Sequence, residues 1–228
     1  MDFPELPARL AQVRAAIVAG QAKGGWTHPV RIVAVTKTHG PEAVQAAVDA
    51  GLTLIGENKV QEALTKQDAT HHLPVEWHLI GSLQRNKVRQ IVGRFALIHS
   101  VDRLELAEEF QKRVPAGTKQ AVLLQVNCSG EPQKGGVEPG ECLGLLDQIR
   151  AFDRLKVDGL MTMAEFSTDE SVQRGAFRRL RELRDAGTRA GHHLPELSMG
   201  MSGDHQVAIE EGATLLRLGT LLFGTRQP

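Results

Sequence analysis

Short apolar runs and amphipathic stretches alternate along the whole chain. Runs of apolar residues fall near 31–36, 52–56, 77–81, 96–100, 121–127, 157–161, 196–200 and 214–218. The first is typical: Ile32, Val33, Ala34 and Val35 follow one another with no polar alternation, the mark of a strand covered on both faces, as in a parallel sheet. Between the runs, helical stretches lie near 41–50, 57–67, 84–92, 102–113, 138–150, 169–190 and 203–211, several opened by Pro, Ser, Asp or Glu and several closed by glycine. Eight strands alternating with helices over 228 residues predict an α/β fold, a single (β/α)8 TIM barrel over 1–228. An open doubly wound sheet takes second place, because no GxGxxG follows the first strand and no GxxxxGK[ST] occurs anywhere.

Ahead of the first strand, Leu6, Leu10, Val13 and Ile17 recur at helical spacing and predict an amphipathic helix over 5–19. Past the last strand only "LLFGTRQP" remains, too little for a full outer helix, so the N-terminal helix is expected to fill the eighth place in the ring. The longest Gly/Pro-rich stretch, "SGEPQKGGVEPGE", follows the fifth strand and belongs to the carboxyl-end face, where barrels of this type carry their chemistry.

Composition narrows the function. Lys+Arg and Asp+Glu balance at 27 each, so no global field recruits nucleic acid or an anionic membrane, and any phosphate chemistry must be local. Cys128 and Cys142 match no CxxC pattern, and nothing resembles a signal peptide or a spanning helix, which makes a cytoplasmic location the expectation. The adjacent pairs His71–His72 and His192–His193 lack metal-ligand spacing, and no metal is expected. "LQRNKVRQIVGR" is basic but has no interleaved aromatics, and "FRRLRELRDAGTRAG" reads as the solvent face of a barrel helix.

Unusual residues gather at the strands' carboxyl ends: Lys37 at the first, Glu57 and Asn58 at the second, Asn127 at the fifth, "SMGMS" at the seventh and "RLGT" at the eighth. Strand parity puts Val33, Val35 and Lys37 on one face, and likewise Leu215, Arg217 and Gly219, with Leu216 and Leu218 opposite. If Lys37 points into the barrel mouth, Arg217 does so too, and its guanidinium needs an acceptor, either a ligand or a carboxylate such as Glu57. Gly200, Ser202 and Gly203, with Gly219 and Thr220, are small residues at the seventh and eighth strand ends, where backbone N–H groups approach an anion and where this fold recurrently binds phosphate. A lysine, an arginine and a phosphate pocket at one mouth suit two chemistries: a lysine Schiff base with a sugar-phosphate carbonyl, or with pyridoxal phosphate. Either needs Lys37 to attack as the neutral amine, which burial and a nearby Arg217 would favour.

Seven motifs carry a resemblance over nearly the whole chain: "AVTKT", "GENKVQE", "WHLIGSLQRNK", "SVD", "GLMTM", "LSMGMS" and "RLGTLLFG", in order. In them the chain resembles the pyridoxal phosphate homeostasis protein family. The resemblance implies a barrel like the N-terminal domain of alanine racemase, with an extra N-terminal helix, binding pyridoxal 5′-phosphate (PLP) as a lysine aldimine. It implies Lys37 as the Schiff-base lysine, Ser202, Gly219 and Thr220 as phosphate ligands, Arg217 facing the pyridine nitrogen and Asn58 lining the cofactor. It further implies a role in intracellular vitamin B6 balance, buffering and delivering the cofactor to apo PLP-dependent enzymes without catalytic turnover, by a monomer with no nucleic-acid or membrane partner. Lys59 stands where an aromatic is common after "GEN", and Ser82 where proline is common before "LQ"; neither touches the lysine, the arginine or the phosphate loops.

The alternative is a PLP-dependent enzyme of the amino-acid racemase type. A two-base racemase needs a second proton-transfer group, a tyrosine in alanine racemase, and this chain has no tyrosine. His39, read as an exposed turn residue, and Cys128, read as a small buried hydrophobe, are the remaining candidates. An arginine facing the pyridine nitrogen also disfavours ring protonation and makes a poorer electron sink.

Overall fold

The eight apolar runs are strands, and they close on one another. In the computed structural model, which describes residues 3–225, strands β1 (Arg31–Val35), β2 (Leu54–Glu57), β3 (Glu76–Leu79), β4 (Leu97–Val101), β5 (Gln120–Gln125), β6 (Leu155–Met161), β7 (Glu196–Ser198) and β8 (Leu215–Leu218) form a closed parallel barrel in chain order. Closure sets Val33 of β1 beside Leu54 of β2 and beside Arg217 of β8. Alternate residues face inward, and Val33, Leu54, Leu97, Leu123, Met161 and Leu215 fill the barrel as one apolar layer. The outward-facing residues, such as Ala34, Ile55, Ile98 and Leu216, join the larger core beneath the helices. The alternation that predicted the barrel therefore also divides its two cores.

The helices are α1 (Leu6–Gly24), α2 (Pro41–Asp49), α3 (Val60–Ala69), α4 (Val88–Ile91), α5 (Leu104–Arg113), α6 (Cys142–Ile149), α7 (Glu170–Arg189), α8 (His205–Glu210) and α9 (Thr220–Phe223). Pro41 opens α2 at a position where no N–H is missed, and the Asp169 carboxylate caps α7 by accepting from the Ser171 N–H at 2.8 Å. The helix expected over 84–92 is shorter: a 3-10 turn at Arg85–Lys87 runs into the four residues of α4. Only Val88 and Ile91 give it a buried apolar face, and Gly93, at φ +75°, follows directly after the capping Val92. Glu57 is the last residue of β2, so α3 starts three residues later than the expected 57.

The N-terminal helix runs to Gly24, beyond the expected 19, because Ala, Gln and Lys sustain helix where the apolar stripe has ended. It buries Leu6, Leu10, Val13 and Ile17 and lies against α8 and the short α9, the ring place expected of it. Lys23 pairs with Glu210 at 2.7 Å, and the Trp26 indole N–H donates to the Glu210 carbonyl at 2.8 Å. The alternating charges of α7 turn inward as well as out: Arg174, Arg178 and Arg181 converge on the Glu211 carboxylate. Among the described residues no helix is long and apolar enough to cross a membrane, and no cluster of three or more His, Cys, Asp or Glu could hold a metal ion.

Candidate functional site

At the carboxyl ends of the strands the barrel opens into a cavity of about 490 Å³, a small-molecule size. Lys37, Asn58, Ser202, Arg217, Gly219 and Thr220, the six residues expected at a ligand site, all line it. They come from four strand ends separated by up to 183 positions, brought together by barrel closure.

Lys37 follows Val35, which is buried and faces the cavity, and it shares that inward parity. Its side chain stands exposed at the mouth rather than buried as expected. The next residue is unusual: Thr38 has φ +69°, the one positive value at a non-glycine among the described residues.

Arg217 is buried, and Nη1 donates to Ser198 Oγ at 2.6 Å while Nη2 donates to the Thr162 carbonyl at 2.8 Å. Burial pushes the guanidinium down to about 10, opposed by the Asp204 charge, and leaves it cationic at neutral pH. Among the described residues no carboxylate lies within ion-pair distance of it. The ion pair with Glu57 does not form, because Glu57 has the opposite parity and binds Lys66 of α3 at 2.6 Å.

Below Arg217 runs a buried polar chain not singled out in the sequence. Ser198 Oγ lies 2.8 Å from His99 Nδ1, and His99 Nε2 lies 3.0 Å from His78 Nδ1. Arginine only donates, so one complete assignment has Ser198 accept from Arg217 and donate to His99, which donates in turn to His78. Burial pushes His78 down to about 4, and burial with the cationic neighbourhood holds His99 well below the ordinary imidazole value. Both rings are therefore neutral at pH 7. Parity marks each of these residues as inward-facing, and barrel closure makes them neighbours.

The phosphate-type loops are tied together. Ser202 Oγ accepts from the Leu221 N–H at 3.1 Å, joining the loop after β7 to the first turn of α9. Gly200 has φ +91°, and a Cβ there would stand 2.6 Å from the Ala208 Cβ, so only glycine fits. The Met201 N–H donates to Asp204 Oδ1 at 2.5 Å. Burial raises the Asp204 carboxyl above its ordinary range, outweighing that bond and the Arg217 cation. On the opposite wall, Asn58 lines the cavity with its Oδ1 buried and without a hydrogen-bond partner, and its backbone carbonyl lies so close to Gly81 that a Cβ there would stand 2.1 Å from it. A buried acceptor left without a partner on a cavity-lining residue calls for a donor, which a ligand can bring.

Two further expectations are settled by packing. His39 is half-buried rather than exposed: its ring lies 5.3 Å from Phe3, edge to face, and 5.6 Å from Phe223. Cys128 is buried as expected and lies outside the cavity lining, with its thiol pushed up to about 11 by burial. Asn127 turns away too, its amide donating to the Glu131 carbonyl at 3.2 Å within the loop after β5.

A family model described as the N-terminal domain of alanine racemase matches residues 14–227. The chain is 47% identical over 199 residues to the pyridoxal phosphate homeostasis protein of Aquifex aeolicus, covering 86% of this chain and 87% of that protein. It is 44% identical over 219 residues to the protein of the same description from Pseudomonas aeruginosa, covering 95% and 94%. Among solved structures, PipY of Synechococcus elongatus with PLP bound superposes with a TM-score of 0.84 at 34% identity, covering 96% of this chain and 100% of that one. The alanine racemase of Clostridium difficile superposes with a TM-score of 0.75 at 12% identity over 94% of this chain and 61% of that one, a likeness of fold.

Proposed function

The chain belongs to the pyridoxal phosphate homeostasis protein family, and on that premise we propose that it binds PLP in the barrel-mouth cavity and buffers and delivers it inside the cell. The observation that carries the proposal is the convergence of Lys37, Asn58, Ser202, Arg217, Gly219 and Thr220 on one cavity, with a partnerless buried acceptor on Asn58 and a buried guanidinium that no carboxylate among the described residues neutralises. The residues fit the cofactor. When bound, PLP would supply an aldehyde open to condensation with a neutral lysine amine.

Each residue then has one task. Lys37, exposed at the mouth, is the capturing amine. Ser202, Gly219 and Thr220, at the joined loops, hold the phosphate through hydroxyl and backbone N–H groups. Asp204 stands near, its carboxyl raised by burial above its ordinary range. Arg217, fixed by Ser198 and Thr162, would set a cation against the ring nitrogen and so disfavour its protonation. Asn58, with its unpartnered Oδ1, would line the cofactor.

A carrier fits this lining better than an enzyme does. Proton transfer on both sides of a substrate carbon needs a second base, and the chain has no tyrosine. His39 lines the cavity but packs against Phe3 and Phe223, and the Cys128 thiol, at about 11, is a poor base placed outside the lining. Cytoplasmic location, one domain over 1–228, monomeric state and apo PLP-dependent enzymes as recipients complete the proposal. The test is transfer: protein loaded with PLP should activate an added apo-enzyme while leaving the chirality of amino acids unchanged. Racemisation at the rate of cofactor transfer or faster would replace the carrier with the enzyme.

A further inference from the structure

Capture needs Lys37 to be aimed as well as near. Thr38, its neighbour, is β-branched yet left-handed, a conformation that persists only where surrounding structure imposes it. The imposing structure lies behind the strand, away from the cavity. Lys66 of α3 is 4% exposed and spends its three N–H bonds on the Thr36 carbonyl at 2.7 Å, Glu57 Oε1 at 2.6 Å and Glu62 Oε1 at 2.9 Å. Glu62 Oε1 also accepts from the Thr38 N–H at 2.5 Å, and Thr36 Oγ1 donates to Glu57 Oε1 at 2.6 Å. One ion cluster thus grips the main chain immediately before and immediately after Lys37. None of Glu57, Glu62 and Lys66 lines the cavity.

A buried ion pair is a weak device for stability, since apolar side chains of the same volume commonly do as well, and its best-attested use is to fix one conformation. Here the conformation fixed is the Lys37 turn. We propose that Glu57, Lys66 and Glu62 are positioning residues that hold Thr38 left-handed and set the direction in which Lys37 enters the cavity. The proposal rests on Lys37 being the capturing amine.

Glu62→Ala tests it, because Glu62 is the outermost member and its loss leaves the buried Glu57–Lys66 pair intact. Three quantities are read: the first-order rate of adduct formation at Lys37 with PLP, the affinity for pyridoxine 5′-phosphate, which lacks the aldehyde, and hydrogen exchange at the Thr38 amide. The expected result is capture slowed about tenfold, unchanged pyridoxine phosphate affinity and lost Thr38 protection, with Thr38→Gly in the same chain restoring capture to within about twofold, since glycine adopts this φ without strain. A merely structural role would weaken both ligands together and would not be rescued by glycine. Unchanged capture, or failure of Thr38→Gly to restore it, overturns the proposal. No adduct at Lys37 even in the unsubstituted protein refutes the capture role instead, while the Thr38 exchange still reports whether the grip exists. Lys66→Met, with its melting curve, provides a second variant; normal capture in a folded Lys66→Met protein also overturns the proposal.

Discussion

The buried histidines make the barrel acid-sensitive by an amount that can be worked out. His78 sits at about 4 in the folded chain against an ordinary 6.5. Its folded value is depressed, so the native state binds fewer protons than the unfolded chain, and the stability it contributes is present above about pH 6.5 and lost as pH falls toward 4. Linkage puts the loss from this one ring at about 2 kcal/mol between about pH 7.5 and pH 5, and at about 3 kcal/mol below its folded value. His99, held well below the ordinary imidazole value by burial, adds a loss of the same sign. Replacing His78 with Asn keeps an atom near the Nδ1 position for His99 and removes the titration. Urea midpoints at the two pH values, for both proteins, should show His78→Asn less stable near neutrality but losing about 2 kcal/mol less on acidification. Parallel losses in the two proteins would mean that His78 is not held neutral inside the barrel.

Two further outcomes follow from packing. Leu10→Ala empties a fully packed position between α1 and the barrel and should cost about 2–5 kcal/mol in urea denaturation; an unchanged midpoint would show that α1 is not part of the ring. Gly200→Ala forces a Cβ toward Ala208 and a side chain into a left-handed residue at the phosphate end, so PLP affinity measured by equilibrium dialysis should fall about tenfold or more, with pyridoxal lacking the phosphate much less affected. Equal losses for both ligands would place the phosphate elsewhere.

Much of the fold is written in local pattern. Uninterrupted apolar runs such as Ile32–Val35 placed all eight strands within about two residues, and parity alone put Lys37 and Arg217 at one mouth. Local pattern is weakest where few residues are buried, which is why α4 shrank to the turn that Val88 and Ile91 can anchor. Partnerships between distant side chains are not local at all. Nothing near Lys66 separates it from an exposed helix lysine, and its burial exists only because β1 and β2 bring Thr36 and Glu57 to it. Arg217 was predicted to need an acceptor, but Ser198 and Thr162 supply that role from β7 and the end of β6, while Glu57 faces away. The polar chain to His99 and His78 was overlooked for the same reason: each residue is ordinary in its strand, and only closure makes them neighbours.

The central claim is that Lys37 holds PLP in this cavity. Borohydride reduction of the PLP-treated protein, followed by peptide mass mapping, tests it most directly. A single phosphopyridoxyl group on Lys37, absent from Lys37→Ala, is the expected result. No adduct, or one spread over exposed lysines such as Lys23 and Lys156 with Lys37 unmodified, would contradict it.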